Sequence, residues 1–443
     1  MKLGVFQVRR DYNCFKSKKL YVEKQLPEVS ISQKIKSNYI DYAKEVNTYR
    51  ALPSVFDGMK VVQRRLLLTG AKIAQSKLVK SASIIGECMA RFHPHGDSSL
   101  YEALVGLVND NYPMFVGQGN WGDFETGAAA YRYTSVRLSD FSKEYYLPYI
   151  NYAPLSENEL GYLENSYIPT RVPLALVNNT AGIGLGIATL IPAFTLKSVI
   201  NYVDWLESPA GKNEPELKLN YKSYDMDQSV LDSGYGRIQY KLTFQQEGDK
   251  AFVVKNHIPG ANVKEILSKL FKTEIEAKKL FIRDESGPSG TRFVVGKIWW
   301  VNMQDIEARM KKTSRLITAN MNWSTGEDKP LVRRLAPKQV LEICLEKYLE
   351  AMEKWRSHEL EKIRLEKLFQ KIKNIVMKKL IKELSWDAIK IDLSLTQEEL
   401  TFIRGKTVSQ LSKDLLTEKD LDEQTERINS VGKRSATGSL RLI

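Results

Sequence analysis

The stretch from Lys338 to Arg404 contains neither glycine nor proline. Apolar residues recur along it largely at intervals of three and four: Leu341, Leu345, Leu349, Met352, Leu360, Ile363, Leu368, Ile372 and Ile375. That is the face period of an α-helix. A helix from Pro337 to about Leu384 spans roughly 70 Å at ~1.5 Å per residue. It is longer than a small domain is wide, so it must project or pair. The run from about Leu411 to Ile428 predicts an antiparallel partner returning along it.

The chain has 443 residues, enough for two to four domains. With 43% hydrophobic residues it can build cores, which excludes bulk disorder. No run of about 18 apolar residues suggests a membrane span. Arg9, Arg10 and Asp11 interrupt any signal-peptide core. Cys14, Cys88 and Cys344 form no CxxC pair, which rules out a zinc ribbon, argues against a disulfide scaffold and suits a reducing cytoplasm. Lys and Arg number 66 against 53 Asp and Glu, a net charge of +13 that favours a polyanionic partner. Between Lys60 and His95 the excess is local. Lys60, Arg64, Arg65, Lys72, Lys77, Lys80 and Arg91 face a single acid, Glu87. A merely solvated helix face would intersperse more acids.

Residues 1–30 read as a basic arm and 432–443 as a flexible tail. Lys60 to Leu78 has helical periodicity, and Asp97-Ser98-Ser99 caps a second run, Leu100 to Val108. Two short helices joined by a turn in a basic region suit a helix-turn-helix-like module. Strand patterns follow at Arg237–Phe244, Ala251–Lys255 and Thr291–Val301, a mixed α/β region.

The chemistry-bearing motifs crowd into residues 36–139. In order they are Lys36–Ala43, Arg50-Ala51-Leu52-Pro53, Asp57–Arg65, His93-Pro94-His95-Gly96-Asp97-Ser98, Gly117–Gly122 and Ala129–Thr134. A tyrosine can attack a phosphodiester and hold the strand as a phosphotyrosine. Its phenol, with an ordinary pKa of about 10, needs help from a neighbouring cation. Two histidines and a carboxylate could instead bind zinc, although Pro94 between them and the distance of His257 and His358 weaken that reading. Asp225-Met226-Asp227 reads as loop acids, and no P-loop is present. Gly182-Ile183-Gly184-Leu185-Gly186 has the look of a dinucleotide loop, but Pro192 leaves no long helix behind it.

The order and spacing of these motifs resemble the DNA-cleaving subunit of type IIA topoisomerases: the A subunits of bacterial DNA gyrase and topoisomerase IV, and the medium subunit of the phage-type enzyme. A weaker likeness runs through Val177-Asn178-Asn179 and Gly182–Pro192 to Pro337–Leu341. The resemblance implies an α+β chain: a winged-helix DNA-cleavage domain at 31–155, a mixed α/β tower domain at 156–335, and a long antiparallel coiled coil with a terminal helical dimer gate at 336–431. The nucleophile of the family's Arg-Tyr-Thr motif maps to Tyr133, with Arg132 beside it and Tyr131 a decoy two residues away. The family's histidine motif lies against DNA beside the nucleophile, which gives His95 phosphate contact or transition-state support and His93 a DNA contact. Arg50, Lys60, Arg64 and Arg65 map to phosphate clamps; Gln63 stands where the family usually has His. Val172 maps to the residue that wedges between base pairs. Ser98 and Glu102 match quinolone-binding positions.

The resemblance further implies Mg2+ and ATP bound by a separate ATPase and metal-binding subunit. It also implies a homodimer closed by the coiled-coil gate, a double-stranded DNA substrate, and a cytoplasmic, DNA-associated location without membrane attachment. The sequence holds no Gln-Arg-Arg-Gly-Gly-Lys-Gly box, so relaxation and decatenation are expected rather than negative supercoiling. The alternatives are an architectural DNA-binding protein that does not cut, a helical scaffold, and a metal-dependent nuclease built on His93, His95 and Asp97.

Overall fold

The computed structural model describes residues 30–122, 126–209, 213–255, 258–259, 261–286, 291–326, 331–380, 396–404 and 418–431. The chain divides into two compact units, residues 1–42 and 43–443. Helix α1 (Ile31–Val46) buries none of its side chains. Of the expected arm at 1–30, residues 1–29 lie outside the described residues, as do the tail at 432–443 and Cys14.

The second unit begins with a helical module on a small sheet. Helix α2 (Val61–Ile73) starts at Lys60, whose N–H donates to the Gln63 side chain at 2.9 Å. The capping satisfies a donor that a helix start would leave open. Strand β1 (Val79–Lys80) leads into α3 (Ser81–Arg91), and α4 (Asp97–Asn109) follows. Strands β2 (Phe115–Gln118) and β3 (Ser135–Leu138) complete an antiparallel sheet of order β1-β3-β2. Val79 pairs with Val136 and Phe115 with Leu138. Leu66, Leu67, Ile84, Leu100, Leu104 and Phe115 are buried together in its core. Each such side chain stabilises by about 1.5–3 kcal/mol. Helix α4 differs from expectation at its start. Gly96 is the cap, and Asp97 is the first helical residue, where its charge complements the helix dipole.

A hairpin, β4 (Leu155–Glu157) and β5 (Leu163–Asn165), leads to the mixed region. There an antiparallel five-stranded sheet runs β6-β7-β14-β9-β8, from β6 (Thr180–Ile183), β7 (Ala188–Ile191), β8 (Tyr224–Met226), β9 (Tyr235–Lys241) and β14 (Ser314–Asn320). A four-stranded sheet runs β10-β11-β13-β12, from β10 (Phe244–Glu247), β11 (Ala251–Val254), β12 (Leu280–Asp284) and β13 (Phe293–Lys297). Strand β9 alternates, with Gly236, Ile238 and Tyr240 buried, as a strand with one covered face must. The expected strand Arg237–Phe244 is two strands in different sheets. The Leu242 N–H still bonds the Thr313 carbonyl at 3.0 Å, one step on in the β9–β14 register, and β10 then begins at Phe244 in the other sheet. Strands β15 (Asn322–Ser324) and β16 (Val332–Arg334) form a last pair.

The long helix runs from Pro337 to Leu380, 44 residues and about 66 Å. Its first turns are not free. Val340, Leu341, Cys344, Leu345 and Tyr348 lie in the same core as Val55, Phe56 and the two large sheets. Further along, Ile363 packs with Leu421 and Ile428 of a helix at Glu418–Ser430. Arg356 donates to the Val431 carbonyl at 2.7 Å, and Lys367 pairs with Asp422. As one number rises the other falls, so the two helices are antiparallel. Residues 381–395 and 405–417, where a dimer gate is expected, lie outside the described residues. Among the described residues no helix is long and apolar enough to cross a membrane.

Candidate DNA-cleavage site

The Ala129–Thr134 segment is a turn entering β3, not a strand, so the two tyrosines are not held on one strand face. Thr134 anchors it. The residue is fully buried; its hydroxyl donates to Ser81 Oγ at 2.8 Å, lies 3.1 Å from Tyr101 Oη, and its carbonyl accepts from Ser81 N–H. Opposite, Gly119 has φ +109°, and a Cβ there would meet the Tyr133 carbonyl at 3.3 Å. Glycine is therefore required where the Gly-Gln-Gly-Asn-Trp-Gly segment passes the turn.

That anchoring leaves Tyr133 outside, 64% exposed. The Arg132 guanidinium carbon sits 4.8 Å from its ring centroid, placing a cation beside the phenol. Tyr131 is committed instead. Its hydroxyl donates to Asp97 Oδ2 at 2.9 Å, and that bond raises its pKa. The same bond ties the tyrosine turn to the histidine turn: Asp97 follows His95 by two residues, as Tyr133 follows Tyr131.

His95 is exposed and meets His93 edge to face, with ring centroids 4.5 Å apart. Burial, then the nearby Arg65, His95 and Arg50, lower the pKa of His93 to about 4. Its Nδ1 accepts from Arg65 Nη1 at 2.9 Å, since a guanidinium can only donate. That nitrogen is thereby withdrawn from metal binding. Among the described residues no group of three or more His, Cys, Asp or Glu could hold a metal ion. His257 lies outside them, and His358 bonds Tyr152.

The expected phosphate clamps separate into two kinds. Arg50 is exposed. Arg64 and Arg65 are buried. Arg64 Nε and Nη2 reach Asp57 at 2.6 and 3.2 Å. Arg65 forks onto Glu164, with Nε–Oε2 3.0 Å and Nη2–Oε1 2.9 Å. Both are internal ion pairs here, with little surface left for a phosphate. Lys60 lies between the two kinds: Nζ donates to the Ala181 carbonyl at 2.7 Å, and burial lowers its pKa. Ser98 and Glu102 are exposed in the first turns of α4.

Val172, expected as the wedge, is completely buried in the main core. Its carbonyl accepts from Tyr146 Oη at 2.7 Å. Reaching a base step would require opening that core. The glycine-rich segment is the β6–β7 hairpin, and it presents Ile183 at 89% exposure. Asn47 grips the hairpin: its Oδ1 accepts from Leu185 N–H at 2.8 Å, and its Nδ2 donates to the Leu185 carbonyl at 3.1 Å. Gly182 is needed for this docking, because a Cβ would lie 2.0 Å from the Ala51 carbonyl oxygen. Asp225 pairs with Lys241, and Asp227 accepts from Arg237 N–H.

Comparison with known proteins returns a consistent picture. A family model that describes the A subunit of DNA gyrase and topoisomerase IV matches residues 50–437. The DNA gyrase A subunit of Halalkalibacterium halodurans is 28% identical over 432 residues, covering 90% of this chain and 49% of the relative. The DNA topoisomerase 4 A subunit of Pseudomonas aeruginosa is 31% identical over 341 residues, 69% of this chain and 44% of the relative. The DNA gyrase A subunit of Haemophilus influenzae is 38% identical over 202 residues, 41% of this chain and 22% of the relative. The chain spans about half the length, or less, of these relatives.

Proposed function

Because the chain belongs to the family of DNA gyrase and topoisomerase IV A subunits, we propose that it is the DNA-cleaving and rejoining subunit of an ATP-dependent type IIA topoisomerase. The observation that carries the reading is Tyr133: an exposed phenol beside Arg132, in a turn pinned through Thr134 and tied to the histidine turn. In the proposed reaction the Tyr133 oxygen attacks a phosphodiester phosphorus. The phenol gives up its proton, the 3′ oxygen leaves and takes one up, and the 5′ phosphate remains on the tyrosine. Arg132 and His95 stabilise the charge that builds on the phosphoryl oxygens. The new bond keeps the phosphodiester's free energy, so the 3′ hydroxyl can reseal the strand by reversing the step. Two copies of the chain, one per strand, open a double-strand gate.

We read the α2–α4 module as the winged-helix domain, the two large sheets as the tower, and the paired long helices as the coiled coil leading to a dimer gate. Arg50 and Lys60 are the proposed phosphate contacts, which position the duplex without reading its sequence. The wedge is assigned to Ile183. Its exposure supports this, since an apolar side chain presented to solvent can enter a base step and bend the duplex. Mg2+ and ATP are proposed on a partner subunit. The described residues do not fit a metal site, and no step here runs through one.

The test mixes this chain with the ATPase and metal-binding subunit of the same genome, magnesium, ATP and supercoiled plasmid, and quenches with detergent. Linear DNA carrying protein on its 5′ ends, lost in Tyr133→Phe and kept in Tyr131→Phe, is the expected result. DNA binding without any linked DNA would leave the architectural reading in its place. Relaxation and decatenation are carried into the same assay as the proposed outcome, and negatively supercoiled product would overturn them. A quinolone is expected to raise the linked fraction through Ser98 and Glu102.

A further inference from the structure

Glu164 lies in β5, 99 residues from Arg65 in sequence, and its side chain is 13% exposed. Its carboxylate takes Arg65 Nε and Nη2 as a fork, which fixes the plane of the guanidinium. The remaining arm, Nη1, donates to His93 Nδ1 at 2.9 Å. A simple stabilising pair would need no third bond. The hairpin carrying Glu164 is itself tethered. Asn158 Nδ2 donates to the Arg91 carbonyl at 2.8 Å, Asn165 Nδ2 to the Ile150 carbonyl at 2.7 Å, and Arg91 lies over the Tyr162 ring.

We propose that Glu164 is a positioning residue of the cleavage centre: it orients Arg65 so that His93 is held as the neutral tautomer with its proton on Nε2. The inference rests on the cleavage reading above. With Nδ1 accepting, the neutral ring carries its proton on Nε2 and offers a donor rather than a charge. The charged and titratable groups facing His93 are Arg65, His95 and Arg50, and with burial they keep the ring uncharged. Through the edge-to-face contact the fixed His93 ring also sets that of His95. The chain Glu164–Arg65–His93–His95 therefore carries rigidity from a remote hairpin to a group placed at the transition state.

Histidine-selective 15N NMR of the chain, with His93 assigned through His93→Gln, reads the tautomer directly. The wild type is expected to show Nδ1 bare and Nε2 protonated, and Glu164→Gln a mixture. In the reconstituted assay at saturating DNA, Glu164→Gln and Arg65→Lys are expected to slow strand cleavage on the order of tenfold or more. Glu164→Asp, which keeps the carboxylate, is expected to recover part of the rate. A wild-type His93 protonated on Nδ1 overturns the inference, even if Glu164→Gln does not fold. So does Glu164→Gln cleaving at the wild-type rate with an unchanged tautomer. Neither result touches the cleavage reading, which fails separately if the wild type yields no protein-linked DNA.

Discussion

Asp57 is fully buried and accepts from four donors: Arg64 Nε and Nη2, and the N–H groups of Met59 and Ile168. Removing one member of such a pair strands a buried charge. Asp57→Asn is expected to lower unfolding stability by about 3 kcal/mol or more in urea titration. Arg50→Ala should change stability by less than about 0.5 kcal/mol, yet weaken DNA binding and flatten its salt dependence. The sequence window from Lys60 to His95 could not show this split. The acids that neutralise Arg64 and Arg65 are Asp57, just outside it, and Glu164, far beyond it. Within the window, Glu87 takes both Lys72 and Arg91.

His93 gives a second residue-scale test. Its folded pKa of about 4 lies below the ordinary 6.5. As pH falls, the unfolded chain therefore binds the proton first. The stabilising contribution is present above about pH 6.5 and is lost between there and about pH 4. Urea unfolding across that window should show a shallower pH slope in His93→Gln than in the wild type. Equal slopes would mean that His93 titrates like a solvated histidine.

At the scale of elements, the β6–β7 hairpin and the Val172 segment exchange the parts expected of them. Ile183→Ser should leave stability within about 0.5 kcal/mol and reduce DNA bending, read by energy transfer between duplex ends. Val172→Ala should do the reverse, costing about 1–3 kcal/mol through a core cavity. The motif pattern put the wedge at Val172, directly before Pro173, whereas the exposed aliphatic side chain is Ile183, 11 residues on in the hairpin. The long helix was legible because a glycine- and proline-free apolar period has one reading. Helix α3 was not: Ser81–Arg91 carries three small or flexible residues near its start and middle, Ser81, Ser83 and Gly86, and takes its stability from packing against α2 and α4. The break within Arg237–Phe244 was equally hidden, because the pattern is continuous and only sheet pairing divides it.

In the whole molecule one core joins the large sheets to the first turns of the long helix, while the α2–α4 module has its own. Both cores lie within the unit 43–443. The motifs around Tyr133 were readable because their chemistry is local; Thr134, Asp97 and Glu164 as their supports were not, because those contacts join residues 34 to 99 apart. The central claim is that Tyr133, and no other residue, becomes joined to DNA. Trapping the linked complex with detergent, digesting the DNA with nuclease and mapping the modified peptide by mass spectrometry tests it most directly. A 5′-phosphonucleotide on Tyr133 is the predicted result. A nucleotide on Tyr131, or linear DNA with no protein attached, would contradict it.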